Sequence, residues 1–293
     1  DTLLGRFPEP IEVSDGTIWV AGRQVRMLQA AHPGEVAWGE LGVDIVVEAT
    51  AQDRTRAEME KHLAAGAKRV LLCSPPKDPP DRTIILGVNG GELEASDRIV
   101  SNASCTAHAA APLLKVLERE FGIERAFLST IHAYTNQQRL ADVPAEDKRR
   151  GRAAAENIIP QSTDAAEVIV NLLPGLRGKL TAAAVNVPIP NGSAVDLVCW
   201  HSKPVSVESI NAAVETAAAG ELAGILDYEV DPIVSSDVLH TPDSGTFDSQ
   251  ATMTIGTGVS KTLCWFDNSW GYAHRAVELL RLMAAFDGKE AGQ

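Results

Sequence analysis

Cysteine is scarce and scattered, four residues at 73, 105, 199 and 264 in a chain of 293. None pairs at the close spacing of a metal knuckle, and four so spread cannot staple a fold, which excludes a disulfide framework and points to a reducing cytoplasm. No apolar run approaches the ~18 residues that a bilayer-spanning helix requires. Positive charge is in deficit: 26 Lys and Arg stand against 39 Asp and Glu, a net charge of −13. That balance disfavours nucleic acid and anionic membrane as partners and leaves a small molecule as the natural ligand. No G-x-G-x-x-G turn stands between a strand and a helix; Gly87-x-x-Gly90 and Gly256-Thr257-Gly258 read as ordinary turns. The chain opens on Asp1 and not on Met, already in strand and turn, so a segment upstream is expected and room is left for a leader.

What is present is a normal globular mixture, 45% hydrophobic and 22% charged, enough for one large domain or two ordinary ones. Val43 to Ala49 is a short β-branched run, as expected of a strand buried in a parallel sheet. A helix follows from Arg54 to Ala65, with Met59 and Leu63 on one stripe and Gly66 at its end. Runs at Arg69 to Cys73, Thr83 to Val88 and Arg98 to Ser101 predict further strands of a doubly wound sheet. From Cys105 to Glu120 the pattern is helical and stops at Gly122. Long, antiparallel-looking strands come next, at Arg125 to Tyr134, Lys179 to Val187 and Ala194 to Ser202. A hairpin follows with arms Thr246 to Ile255 and Val259 to Phe266. Helices are predicted at Val207 to Ala219, capped by Ser206 and Gly220, and at Gly271 to Phe286.

Cys105 sits in SNASCT at the mouth of the long helix, where unpaired N–H groups and the helix dipole favour a thiolate. His132, at the end of the next strand, can return to that mouth; a Cys–His pair is an activated nucleophile, although either residue alone is more often packing. Cys73, Cys199 and Cys264 lie inside apolar runs and read as core. His108, one turn after Cys105, is a second candidate partner but sits beside the sulfur and away from the helix mouth, which suits a structural role.

The segments SNASCT (101–106), HAYTNQQR (132–139), RRGRAAAENIIP (149–160), ST (162–163) and WFDNSWGYAHR (265–275) together resemble the glyceraldehyde-3-phosphate dehydrogenase family in order and spacing. The resemblance extends from LLGRF near the start to the last helix. It implies that Cys105 attacks an aldehyde carbon, that His132 accepts the thiol proton and steadies the oxyanion, and that hydride passes to NAD, with NADP equally open. An acyl thioester on Cys105 would then be released by inorganic phosphate. It further implies phosphate contacts at Ser104, Thr106, Thr135, Thr163 and the backbone of Asp164, with Arg150 as cationic partner. Thr50, Cys73, Asn268 and Tyr272 would contact the cofactor, Asn268 at the carboxamide. A homotetramer is implied as well.

The fold expected is α/β plus α+β. An incomplete doubly wound (Rossmann-type) cofactor domain over residues 1–104 lacks its first β-α-β unit and is completed by a C-terminal helix at 269–293; a mainly antiparallel-sheet catalytic domain spans 105–268. The sequence departs from the family pattern at the substrate-facing positions. Asn186, in VNVPIPN, stands where a phosphate-binding arginine is usual; Asp164 replaces a glycine beside an anion site; TAQD at 50–53 alters the adenine side. These changes keep open a non-phosphorylating dehydrogenase of the erythrose-4-phosphate type, with water in the release step. The absent glycine loop keeps open an idle homologue acting as a binding or assembly module.

Overall fold

The computed structural model describes residues 2–14 and 17–288. Asp1 and residues 289–293, the end of the segment expected to complete the cofactor domain, lie outside the described residues. The chain begins with a small antiparallel sheet of β1 (Ile11–Ser14), β2 (Thr17–Val20) and β3 (Arg23–Val25). Next come β4 (Ile45–Glu48), α1 (Arg56–Ala64), β5 (Arg69–Leu72), β6 (Arg82–Thr83) and β7 (Ile99–Ser101). These four strands make an all-parallel sheet in the order β4-β5-β7-β6. α1 is started by a capping box: Thr55 Oγ1 accepts from the Glu58 N–H at 3.3 Å, and the Glu58 carboxylate accepts from the Thr55 N–H at 2.8 Å.

α2 (Cys105–Phe121) follows, then β8 (Ile123–Ala133), β9 (Ile159–Gln161), α3 (Ala165–Leu172), β10 (Leu180–Val187) and β11 (Ser193–His201). The chain closes with α4 (Val207–Ala219), β12 (Leu226–Glu229), β13 (Gly245–Asp248), β14 (Met253–Ile255), β15 (Val259–Phe266) and α5 (Trp270–Ala285). Strands β8 to β15 form one sheet in the order β12-β13-β15-β11-β8-β10-β9, with β14 on β15. It is mainly antiparallel, as expected, but β8 and β10 run parallel, as do β12 and β13. A parallel pair needs a crossover, and the long connection carrying β9 and α3 supplies it between β8 and β10. Two strand expectations fall short. Of Thr83 to Val88 only the first residue is paired, because the Asn89 side chain accepts from the Ile85 N–H and donates to the Thr83 carbonyl, closing the segment as a turn. The arm Thr246 to Ile255 breaks at Ser249–Ala251, where Asp248 accepts from the N–H groups of Gln250 and Ala251.

α2 is the central element of the larger core. Ala107, Ala109, Ala110, Ala111, Leu113, Leu114, Val116 and Leu117 are all fully buried, packed with Leu128, Val195, Leu197 and Phe247 of the sheet. Small residues near its start bring the helix close to the strands. Gly122 ends it at φ +63°, where a side chain would collide with the Ser202 hydroxyl. α5 returns to the parallel sheet, packing Ala276, Leu279 and Met283 on Leu71, Ile84 and Val100. The buried Arg69 ties its end to β5 through Asp287 at 3.3 Å. Leu114→Ala is expected to remove about 2–5 kcal/mol of unfolding free energy, while Leu140→Ala on the exposed loop should change it by under about 0.5 kcal/mol; urea midpoints at fixed protein concentration read both.

Candidate active site

The approach to Cys105 is a strained turn. β7 ends at Ser101, and Ala103 takes φ +52°, a left-handed conformation that costs an ordinary residue about 1 kcal/mol or more. Four bonds hold it. Ser101 Oγ accepts from the Ala103 N–H at 3.1 Å and donates to the Ser74 carbonyl at 3.0 Å. His108 Nε2 bonds the Asn102 carbonyl at 3.0 Å, and the Tyr272 hydroxyl reaches the Ala103 carbonyl at 3.4 Å. Ser104 then caps α2, its Oγ accepting from the Ala107 N–H at 3.2 Å. Cys105 is therefore delivered as the first residue of a 17-residue helix.

At the end of β8, His132 Nε2 lies 3.5 Å from Cys105 Sγ. Its Nδ1 lies 2.7 Å from the Ala133 carbonyl. A carbonyl only accepts, so Nδ1 carries the hydrogen and Nε2 of the neutral ring presents its lone pair to the thiol. Phe266 meets the ring edge-on at 5.9 Å between centroids. Burial alone would lower the pKa of His132; the bond to Cys105, the charge of its thiolate and the Ala133 carbonyl outweigh it, and the net shift is upward. The other thiols are different. Burial first, then the charge of Glu48, pushes Cys73 up to about 11, and burial pushes Cys199 and Cys264 up to about 12. His108 is fully enclosed, pushed down to about 4 by burial, and turned edge-on to Tyr272; its Nδ1 has no partner among the described residues.

Ala133 connects this pair to other expected site residues. Its carbonyl also accepts from Asn186 Nδ2 at 3.0 Å. Its N–H donates at 3.0 Å to Ser193 Oγ, which in turn donates to Asn268 Oδ1 at 2.9 Å. Asn268 is held from below by Asp267, a buried carboxylate that accepts from Asn191 Nδ2 and from the N–H groups of His240, Ser269 and Trp270. Sequence reasoning passed over Ser193 and Asp267. Asp267 carried a legible signal, an aspartate just ahead of a helix; Ser193 carried none.

The substrate-side residues are less tightly gathered. Thr106 is buried in the first turn of α2. Thr135 donates to Gln138 Oε1 at 3.1 Å and lines a cavity of about 720 Å3 with Tyr134, Arg139 and Asn268. Thr163 Oγ1 accepts from the Ala165 N–H at the start of α3. Asp164 lines another cleft, of about 610 Å3, opposite Arg54, Lys77 and Arg82. Arg150 lies on the exposed loop, its Nε 3.0 Å from Gln161 Oε1 and 3.5 Å from Asp147. Asn186 is 8% exposed and spends one of its two amide N–H donors on the Ala133 carbonyl, so it can bring a phosphate no charge and at most one further hydrogen bond.

The residues expected to meet the cofactor suit it in part. Thr50 and Cys73 follow β4 and β5, at the carboxyl ends of parallel strands where such sheets bind ligands. Thr50 Oγ1 donates to the buried Glu48 at 2.5 Å and accepts from the Gln52 N–H at 3.3 Å. Because Asn268 Oδ1 is engaged by Ser193, this side chain offers a ligand its NH2 group, the donor that a carboxamide oxygen needs.

Residues 104–268 match the family model described as glyceraldehyde 3-phosphate dehydrogenase, C-terminal domain, and residues 1–56 match that of its NAD binding domain. The chain is 48% identical over 281 residues to glyceraldehyde-3-phosphate dehydrogenase 2 of Streptomyces avermitilis, covering 95% of this chain and 83% of that one. It is 47% identical over 285 residues to glyceraldehyde-3-phosphate dehydrogenase of Mycobacterium avium, 97% of this chain and 84% of the relative. Against that of Geobacillus stearothermophilus it is 44% identical over 286 residues, 97% and 85%. With the Cys105 turn, His132 and the two-sheet architecture in place, the chain belongs to the glyceraldehyde-3-phosphate dehydrogenase family.

Proposed function

We propose that this protein oxidises glyceraldehyde 3-phosphate, or a close phosphorylated aldehyde, through a thioester on Cys105. The observation that carries the reading is the 3.5 Å contact of Cys105 Sγ with His132 Nε2, on a ring whose other nitrogen is already engaged. His132 takes the thiol proton, the sulfur adds to the aldehyde carbon, and the resulting imidazolium stands beside the developing oxyanion. Asn268, Thr50, Cys73 and Tyr272 would hold NAD, the NH2 group of Asn268 being suited to its carboxamide, and the bound cofactor would supply the acceptor for the hydride. Inorganic phosphate then attacks the thioester carbon and Cys105 leaves as thiolate. Ser104, Thr106, Thr135, Thr163 and the Asp164 backbone supply hydroxyl and N–H donors to phosphate oxygens, and Arg150 supplies charge if it exchanges Gln161 for the anion.

The cofactor half comprises residues 1–104 with α5, and the catalytic half residues 105–268. Four free thiols suit a cytoplasmic setting; among the described residues no helix is long and apolar enough to cross a membrane. A homotetramer is supported by the outer face of the larger sheet, where Phe127 and Ile131 of β8, Trp200 of β11, and Met253 and Ile255 of β14 are exposed. Apolar side chains so grouped mark an association surface.

Four measurements test this reading. NADH formation from glyceraldehyde 3-phosphate should require Cys105 and fall roughly a hundredfold or more in His132→Asn; a fall of a few-fold would remove the general-base role. The reaction should also depend on added phosphate, and equal turnover without it would assign the release step to water. At neutral pH, alkylation with peptide mapping should modify Cys105 well ahead of Cys73, Cys199 and Cys264, whose thiols burial holds protonated. In sedimentation the double variant Phe127→Glu, Trp200→Glu should yield smaller species than the wild type.

A further inference from the structure

We propose that Asn186 is a positioning residue that restrains the basicity of His132 through the Ala133 carbonyl. The β8–β10 register places Asn186 directly beside His132, so the two side chains rise from the same face of the sheet. Both then reach one oxygen: His132 Nδ1 at 2.7 Å and Asn186 Nδ2 at 3.0 Å from the Ala133 carbonyl. The carbonyl is enclosed, since Ala133 is fully buried and Asn186 nearly so.

Two donors on one acceptor oppose each other. Each N–H draws on the same oxygen lone-pair density, and the positive end of the Asn186 amide dipole lies beside the Nδ1–H of the imidazole. The penalty is greatest when the ring is protonated, because the imidazolium is the stronger donor and repels a neighbouring positive hydrogen. Asn186 therefore favours the neutral ring, the form that accepts a proton. This opposes the Cys105 contact and the carbonyl itself, both of which draw His132 toward the imidazolium. Among the described residues the groups that meet His132 are Cys105 of α2, Phe266 of β15, the Ala133 carbonyl and Asn186, which reaches that carbonyl from β10; of these only Cys105 has an ionisable side chain. The same bond fixes the direction of the carbonyl, and with it the Nδ1–H tautomer.

A neutral amide is suited to this work. Leucine would remove the second donor, an aspartate would place negative charge beside the imidazolium, and an arginine would place positive charge there. These substitutions give an ordered series. The rate of iodoacetamide modification at Cys105, followed by peptide mapping from pH 4 to 10, reports the two macroscopic pKa values of the Cys105–His132 pair. The upper value is expected to rise by about half a unit in Asn186→Leu and by about one unit or more in Asn186→Asp, and to fall in Asn186→Arg. Because the three predictions differ in sign or size, any variant that folds decides, and the native-like slow reaction of Cys199 and Cys264 identifies those that do. A role confined to packing would leave the pKa values in place, and profiles that superimpose on the wild type, or shift without this order, overturn the proposal. The inference rests on Cys105 and His132 as nucleophile and base. If Cys105 is not the fast thiol in the wild type, that assignment fails; if it is fast and the variants do not shift it, only the role of Asn186 fails.

Discussion

The turn at Ala103 is the constraint on which the site depends. A left-handed alanine is an unfavourable way to join a strand to a helix, yet it is what aims the first residue of α2 out of the sheet and back across the end of β8. The turn survives because groups from distant parts of the chain act on it together. Ser74 follows β5, His108 stands one turn into α2, and Tyr272 belongs to α5. Cys105 and His132 are 27 positions apart, and their contact inherits its precision from these bonds and from the close packing of the alanine-rich start of α2 on the strands beneath. Strain of about 1 kcal/mol is small against that burial.

The polar groups around the pair are arranged by what each can donate or accept. His108 and His132 are both enclosed and bond backbone carbonyls through opposite nitrogens, Nε2 in one and Nδ1 in the other. For His108 the result is a neutral structural ring at ordinary pH, well below its usual pKa. For His132 the carbonyl frees Nε2 for the thiol. The difference lies in position on the element, since a histidine three residues into the helix faces inward along it, whereas one at the strand end faces the helix mouth. Asp267 shows the same economy with charge: a buried carboxylate is stabilised by several N–H donors and the first turn of α5, and so keeps Asn268 in place.

Much of this was legible in the sequence because it is written in local chemistry. α4 is announced by Ser206 and Gly220, α2 by its apolar period and Gly122, and the hairpin between β14 and β15 by Gly256 and Gly258. The Cys–His candidate pair followed from a thiol at a helix mouth and a strand that could return. What stayed hidden depends on partners far along the chain. α3 is only eight residues long, and in AAEVIVNL the period rests on Glu167 and Asn171 facing out opposite Ala165 and Ile169, too little to separate a helix from an apolar strand. β1, β2 and β3 are short and mostly exposed, with little alternation to reveal them. TIILGV reads as a strand by composition, but beyond Ile84, whose N–H still meets Ser101 of β7, the Asn89 side chain takes the place of a neighbouring strand. The direction of β10 relative to β8 cannot be read from either strand, because both orientations bury the same residues.

That last point decides the role of Asn186. Read as one residue in VNVPIPN, it is a neutral substitute at an anion site, and its chemistry suggests only a loss of charge. The parallel register changes its meaning, because it sets position 186 against position 132 and brings the amide to the carbonyl that the His132 ring already uses. A slip of one residue would turn Asn186 to the opposite face of the sheet, where Phe127 and Ile131 lie, and the amide would meet apolar side chains in place of His132. The pairing is held against that slip on both sides, by Ala182 packing with the core beneath and by β9 joining Asn186 to Ile159 at the sheet edge. A side chain that ends on this carbonyl is thus held at the Cys105–His132 pair by the strand register itself, which is why its part can be read only once the direction of β10 is known.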